Sequence, residues 1–131
     1  MTNSEKTSMP HVIFDNGVNL EEFSTRFQNI IQEKPFSIKI DNIFLDIKKK
    51  RALIPVTSDK TDQEFIIEII SMHQRSTLRL FTEGSLAKSD FVKSAMGLIA
   101  KSILRTFANI RIFSTDIENY IPKRIVDKAD S

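Results

Sequence analysis

Residues 65–72 read Phe-Ile-Ile-Glu-Ile-Ile-Ser-Met, and the fold turns on whether this stretch is a helix or a strand. Its β-branched content favours a strand. Two features favour a helix. Phe65, Ile66, Ile69, Ile70 and His73 fall on one face at helical spacing, and Thr61 with Glu64 has the spacing of a capping box just ahead of it. We read the stretch as a helix. The alternative is a hairpin over Phe65–Phe81 that turns at His73–Ser76.

Downstream, Thr77–Phe81 reads as a strand and Glu83-Gly84-Ser85 as a loop. A long helix follows over Ser89–Phe107. Val92, Met96, Ile99, Ile103 and Phe107 recur at three- and four-residue steps, with Phe91, Ala95 and Leu98 widening the apolar stripe. Ser89 can cap the start, and Asp90 suits the positive end of the dipole. Lys93, Gly97, Lys101 and Arg105 form another line, expected to face solvent. A glycine inside a helix costs about 1 kcal/mol relative to alanine, so Gly97 implies close packing, within the chain or against a second copy. Asn109–Phe113 reads as a strand, Asp116–Tyr120 as a helical turn, and residues 125–131 as a frayed end.

Upstream, residues 1–9 read as a polar, disordered tail and His11–Phe14 as a short strand. Asn19 opens a helix with Glu22 three residues on. Its expected stripe is Leu20, Phe23, Phe27, Ile30 and Ile31, and Glu33-Lys34-Pro35 stops it. Phe36, Ile38 and Ile40 alternate with polar residues. Ile43, Leu45 and Ile47 continue that alternation in shifted phase, across a bulge or tight turn. Ala52–Val56 is a further strand, with Pro55 pointing to an edge position or the strand's end. The fold expected is α+β or α/β, a single domain over residues 10–124. Its sheet should be mixed, with two or three helices, the longest at about 89–107.

With residues 65–72 helical, Arg51 to Phe113 runs strand, helix, strand, helix, strand. In that order ALIPVTSDK, EFIIEIISMHQR, TLRLFTEGSLAKSDFVKSAMGLIAKSIL and NIRIFS resemble the Alba family of DNA- and RNA-binding proteins. The resemblance implies a nucleic-acid-binding role, with Lys60 in the place of the family's lysine-bearing loop. It departs at Gly84, flanked here by Glu83 and Ser85 where the family carries arginines.

Composition sets the outer limits. The chain has 131 residues, 40% of them hydrophobic and 27% charged, as in ordinary globular proteins. It has no cysteine, which excludes disulfides, zinc-thiolate sites and a thiol nucleophile. No apolar run is long enough to cross a membrane, and residues 1–10 lack the apolar core of a secretory signal. We expect a cytoplasmic protein with no membrane partner. A net charge of +2 permits an anionic partner without requiring one.

No catalytic or metal motif appears. His11 and His73 are the only histidines, and no ligand set surrounds either. The pairs Asp41/Asp46 and Glu64/Glu68 lack an accompanying base or nucleophile. We therefore expect neither enzyme nor cofactor. The sharpest charge cluster is Lys48-Lys49-Lys50-Arg51, placed at a turn where it can contact phosphates. Lys60, Lys88 and Lys93 complete the expected nucleic-acid-binding set. Arg75 and Arg79 extend it if the Thr77 strand is exposed. Phe81 is the nearby aromatic, expected in the core. The partners expected are DNA or RNA and, through the Ala95-Gly97-Ala100 surface, a second copy of the chain. The rival reading is a small interaction or dimerisation module without a nucleic-acid role, and after it a small-ligand domain.

Overall fold

Phe65–Met72 is not a helix. Glu64–Ser71 is the longest strand of one curled sheet, and the expected mixed α/β or α+β architecture gives way to a largely β fold. The computed structural model describes residues 9–61, 63–82 and 89–122. Among them, in order, are β1 (His11–Phe14), α1 (Leu20–Arg26), β2 (Ile30–Gln32), β3 (Ile38–Ile40), β4 (Phe44–Leu45) and β5 (Arg51–Thr57). There follow β6 (Glu64–Ser71), β7 (Ser76–Leu80), α2 (Asp90–Thr106), β8 (Ile112–Thr115) and a 3-10 turn at Glu118–Tyr120. The sheet order is β2-β3-β5-β6-β7-β1-β8, with β4 also on β5. Every pairing is antiparallel, so the expected parallel crossovers are absent among the described residues. Over Arg51–Phe113 the order is strand, strand, strand, helix, strand. The polar tail through residue 8, the loop at Glu83–Ser85, Lys88 and the expected frayed end at 125–131 lie outside the described residues.

The physical reason for β6 is that both its edges are occupied. It pairs with β5 at seven positions, Arg51↔Ile70 through Thr57↔Glu64, and with β7 at five, Ile67↔Leu80 through Ser71↔Ser76. A helix there would forfeit both ladders. Phe65, Ile67 and Ile69 point into the core, where the Phe65 ring meets Phe91 of α2 edge-on at 5.2 Å. Ile66 and Ile70 point the other way and are half-buried. Thr61 and Glu64, the apparent capping box, lead into a strand.

Pro55 sits in the middle of β5, paired with Ile66 of β6 on one side only. The polar groups of its partner Ile66 face β7, since Phe81 N donates to Ile66 O at 2.8 Å. The missing N–H of Pro55 therefore points away from β6. On that side β5 pairs with β4 only at Ala52 and Leu53 and with β3 only at Thr57. The proline falls in the gap where no donor is required.

The helices lie on the inner face. Asn19 caps α1, accepting from Glu22 N at 2.9 Å, and Ser89 caps α2, accepting from Val92 N at 3.2 Å. The α1 stripe stops earlier than its periodicity suggested: Ile30 and Ile31 belong to β2 and pair with Ile40 and Lys39. The core joins Val12, Phe14, Ile54, Ile67, Ile69 and Leu78 of the sheet to Phe23 of α1 and Met96, Ile99 and Ile103 of α2, all fully buried.

Gly97 does not face solvent. The backbone of Tyr120 lies against it, and a Cβ at this position would overlap the Tyr120 carbonyl oxygen. The same residue donates its hydroxyl to Asp90 Oδ1 at 2.5 Å. That bond to a carboxylate holds the Tyr120 hydroxyl above its ordinary pKa of 10.0. The glycine thus seats the chain after β8 on α2. At the other end of the sheet, Gly17 allows the β1–α1 loop to approach β6, where a Cβ would overlap the Met72 carbonyl oxygen. Two buried serines hold that loop. Ser76 Oγ accepts from Val18 N at 2.7 Å and donates to Asn16 O, and Ser71 Oγ donates to Val18 O at 2.7 Å.

Candidate nucleic-acid interface

A β-strand alternates its side chains between two faces, and both helices lie on one face of this sheet. Among the described residues no element covers the other. Reading across it, the paired positions are Phe44 on β4, Leu53 on β5, Glu68 on β6, Arg79 on β7 and His11 on β1. Two residues along the strands, on the same face, lies a second row, Arg51, Ile70, Thr77, Ile13 and Ser114. With neighbouring strands about 4.8 Å apart, the first row runs across roughly 19 Å.

Three phenylalanines stand out from this sheet. Phe44 is 57% exposed, Phe81 45% and Phe113 58%. Phe81 follows β7 and lies opposite Ile66, on the uncovered face rather than in the expected core. Phe113 sits at an irregularity in the β1–β8 pairing, and the Arg75 guanidinium lies 3.7 Å from its ring centroid, a cation–π contact.

Glu68 organises the cations between the rings. Its side chain is 1% exposed although it is on the uncovered face, because Arg51 and Arg79 cover it. Arg79 Nε donates to Oε1 at 2.9 Å. Arg51 Nε lies 2.8 Å from Oε2 but off the hydrogen-bond direction, so Oε2 is ion-paired without accepting a hydrogen bond. Each arginine side chain is 52% exposed. The triplet carries a net charge of +1, with the Arg79 guanidinium held by a directed hydrogen bond and that of Arg51 by charge alone.

The six expected site residues that are described do not form one patch, and Lys88 lies outside the described residues. Lys48, Lys49, Lys50 and Arg51 share the β4–β5 turn at one end of the sheet. Asp46 builds that turn, accepting on Oδ1 from Lys50 N and Arg51 N at 2.9 and 3.1 Å and on its carbonyl from Lys49 N at 3.0 Å. Lys49 pays with a left-handed backbone, φ 59°, and its ammonium pairs with Glu21 of α1 at 3.1 Å. Lys48 and Lys50 make no ion pair among the described residues. Lys60 lies beyond the opposite end of β5, whose seven residues span about 20 Å. Lys93 is on α2, across the sheet, with its ammonium 5.6 Å from the Tyr120 ring centroid.

Sequence reading missed Phe44, Phe113 and Glu68. Phe44 carried a signal: in Ile43-Phe44-Leu45-Asp46-Ile47 it holds the phase that an alternating strand gives to polar residues. Ile47, read as continuing the strand, lies in the turn and is 97% exposed. Among the described residues no three His, Asp or Glu converge as a metal site, and no helix is long and apolar enough to cross a membrane. Comparison with protein families, with curated proteins and with solved structures returned no match.

Proposed function

We propose that this is a non-enzymatic nucleic-acid-binding protein that takes single strands on the uncovered sheet face. One observation carries the reading: Phe44 and Phe81 stand exposed on the face where Arg51 and Arg79 are held by Glu68. Proteins that hold single strands combine aromatic platforms for unstacked bases with cations that track the backbone. A duplex keeps its bases stacked and offers nothing to the rings, so single strands are the better fit. Lys48 and Lys50, at the end of the same face, supply phosphate contacts.

The test is fluorescence anisotropy with a single-stranded RNA of about 12 nucleotides, within the length one such platform occupies, beside a duplex DNA of equal length. Phe44→Ala and Phe81→Ala should each weaken single-strand binding by roughly 1–3 kcal/mol, the usual worth of one stacked base. Each side chain is about half exposed, so the stability lost should be well below that of truncating a core phenylalanine. Unchanged affinity in both variants, or tighter binding of the duplex, overturns the reading.

A second reading is favoured by the apolar residues of the same face. Ile13, Leu53, Ile66 and Ile70 are half-buried there, and Ile31 on the paired β2 position is 69% exposed. Exposed apolar patches also mark protein contacts, and a second copy of the chain is the simplest occupant. Light scattering at micromolar concentration separates the two: a concentration-dependent dimer dissociated by Phe44→Ala favours the interaction module.

A further inference from the structure

We propose that the cleft between the β4–β5 and β6–β7 turns binds one nucleotide, its base held between Ile47 and Met72 and its phosphate on Lys48, Lys50 and His73. The inference rests on the single-strand reading and extends it, because the cleft opens directly off the uncovered face at Arg51 and Ile70. It is a wide hollow of about 910 Å³, within the size range of small-ligand sites. The two turns are joined where Ser71 N donates to Lys50 O at 2.8 Å.

The walls are apolar and the rim is cationic. Ile47 is 97% exposed and Met72 61% exposed, on adjacent turns. The exposure of Ile47 does not come from a loose loop. Asp46 ties the turn by accepting from three backbone N–H groups and donating its own N–H to Arg51 O at 3.0 Å. Asp46 also lines the cleft; its Oδ1 is engaged by two backbone donors, and Lys48 and Lys50 together outweigh its single negative charge. Lys48, Lys50 and His73 make no ion pair among the described residues, which leaves three donors for a phosphate. An amphipathic anion with a flat apolar body matches this arrangement; inorganic phosphate would use only the rim, and an apolar molecule only the walls.

The experiment is a titration of the full chain with AMP and with ribose 5-phosphate, followed by backbone amide NMR, beside anisotropy of the 12-nucleotide strand. AMP should move the amides of Ile47–Arg51 and Ser71–His73, and ribose 5-phosphate should bind about tenfold more weakly, having no base to bury. The double variant Ile47→Ser/Met72→Ser should lower AMP affinity about tenfold and leave the effects of Phe44→Ala and Phe81→Ala on the strand in place. Both residues are exposed, so the variant folds. Strand binding with no AMP response at these amides overturns the cleft and leaves the platform standing. AMP binding at the cleft without strand binding supports the cleft and overturns the platform. Equal affinity for AMP and ribose 5-phosphate overturns the base-binding role. So does a response of these amides to phosphatidylserine/phosphatidylcholine vesicles but not to AMP, since the apolar turns would then be meeting lipid.

Discussion

Arg79 donates to Glu68 from the directly opposite position on the neighbouring strand, at 2.9 Å, and helps to seal a carboxylate that is 1% exposed. Removing one partner of a fully buried pair costs about 3–5 kcal/mol, whereas an exposed pair contributes about 0–1. Here the acid is buried and the arginine is half exposed. Arg79→Ala should therefore cost about 1–2 kcal/mol. Arg51→Ala should cost less, because Arg51 is close to Oε2 without a directed hydrogen bond. Urea unfolding of the two variants checks the order; a larger loss at Arg51 would contradict the geometry.

Gly97→Ala sets two effects against each other. Replacing a helical glycine by alanine ordinarily gains about 1 kcal/mol. At this site the new Cβ would overlap the backbone carbonyl of Tyr120, which is not the end of a flexible side chain. The packing cost should win, because overpacking commonly costs about 1–3 kcal/mol. The variant should be less stable by thermal unfolding. A stabilised Gly97→Ala would mean that the chain after β8 does not rest on α2.

Ser76 is fully buried and serves both an N–H and a carbonyl of the β1–α1 loop. Ser76→Ala strands the Val18 N–H in the interior, at about 1–3 kcal/mol. Because β1 and α1 flank the loop, faster hydrogen exchange at Val18 should accompany the loss. Unchanged exchange would show that another acceptor replaces the serine.

Lys48→Gln/Lys50→Gln tests the turn as a phosphate contact. On single strands the log–log salt slope changes by about 0.7 per phosphate contacted, so the double variant should be shallower by about 1.4. Lys93→Gln, on the helix side of the sheet, should leave the slope unchanged. Equal effects at the two places would argue for diffuse attraction rather than a face. Stability should barely move in either variant, because exposed lysines contribute little to folding.

Local information was sufficient wherever one face met water. The start of α1 was readable because Asn19 bonds only three residues ahead, and α2 because its stripe and its Ser89 cap are complete within nineteen residues. The basic turn was readable for the same reason. Ile30 and Ile31 were not: they continue the helical phase of α1, yet they leave it to pair with β3.

Residues 65–72 are the limiting case. A strand announces itself by alternation only when one of its faces is polar. Phe65, Ile67 and Ile69 face the core while Ile66 and Ile70, also apolar, lie half-buried on the uncovered face, so the period of two is erased and a helical stripe appears in its place. What decides the matter is partners elsewhere in the chain: β5, β7 and, beyond β7, a β1 more than fifty residues away. The same pairings place Phe44, Arg51, Glu68, Arg79 and Phe81 on one face. None of these residues is near enough to all the others in the chain for composition, spacing or charge to reveal the grouping; hydrogen-bonded register across four strands creates it.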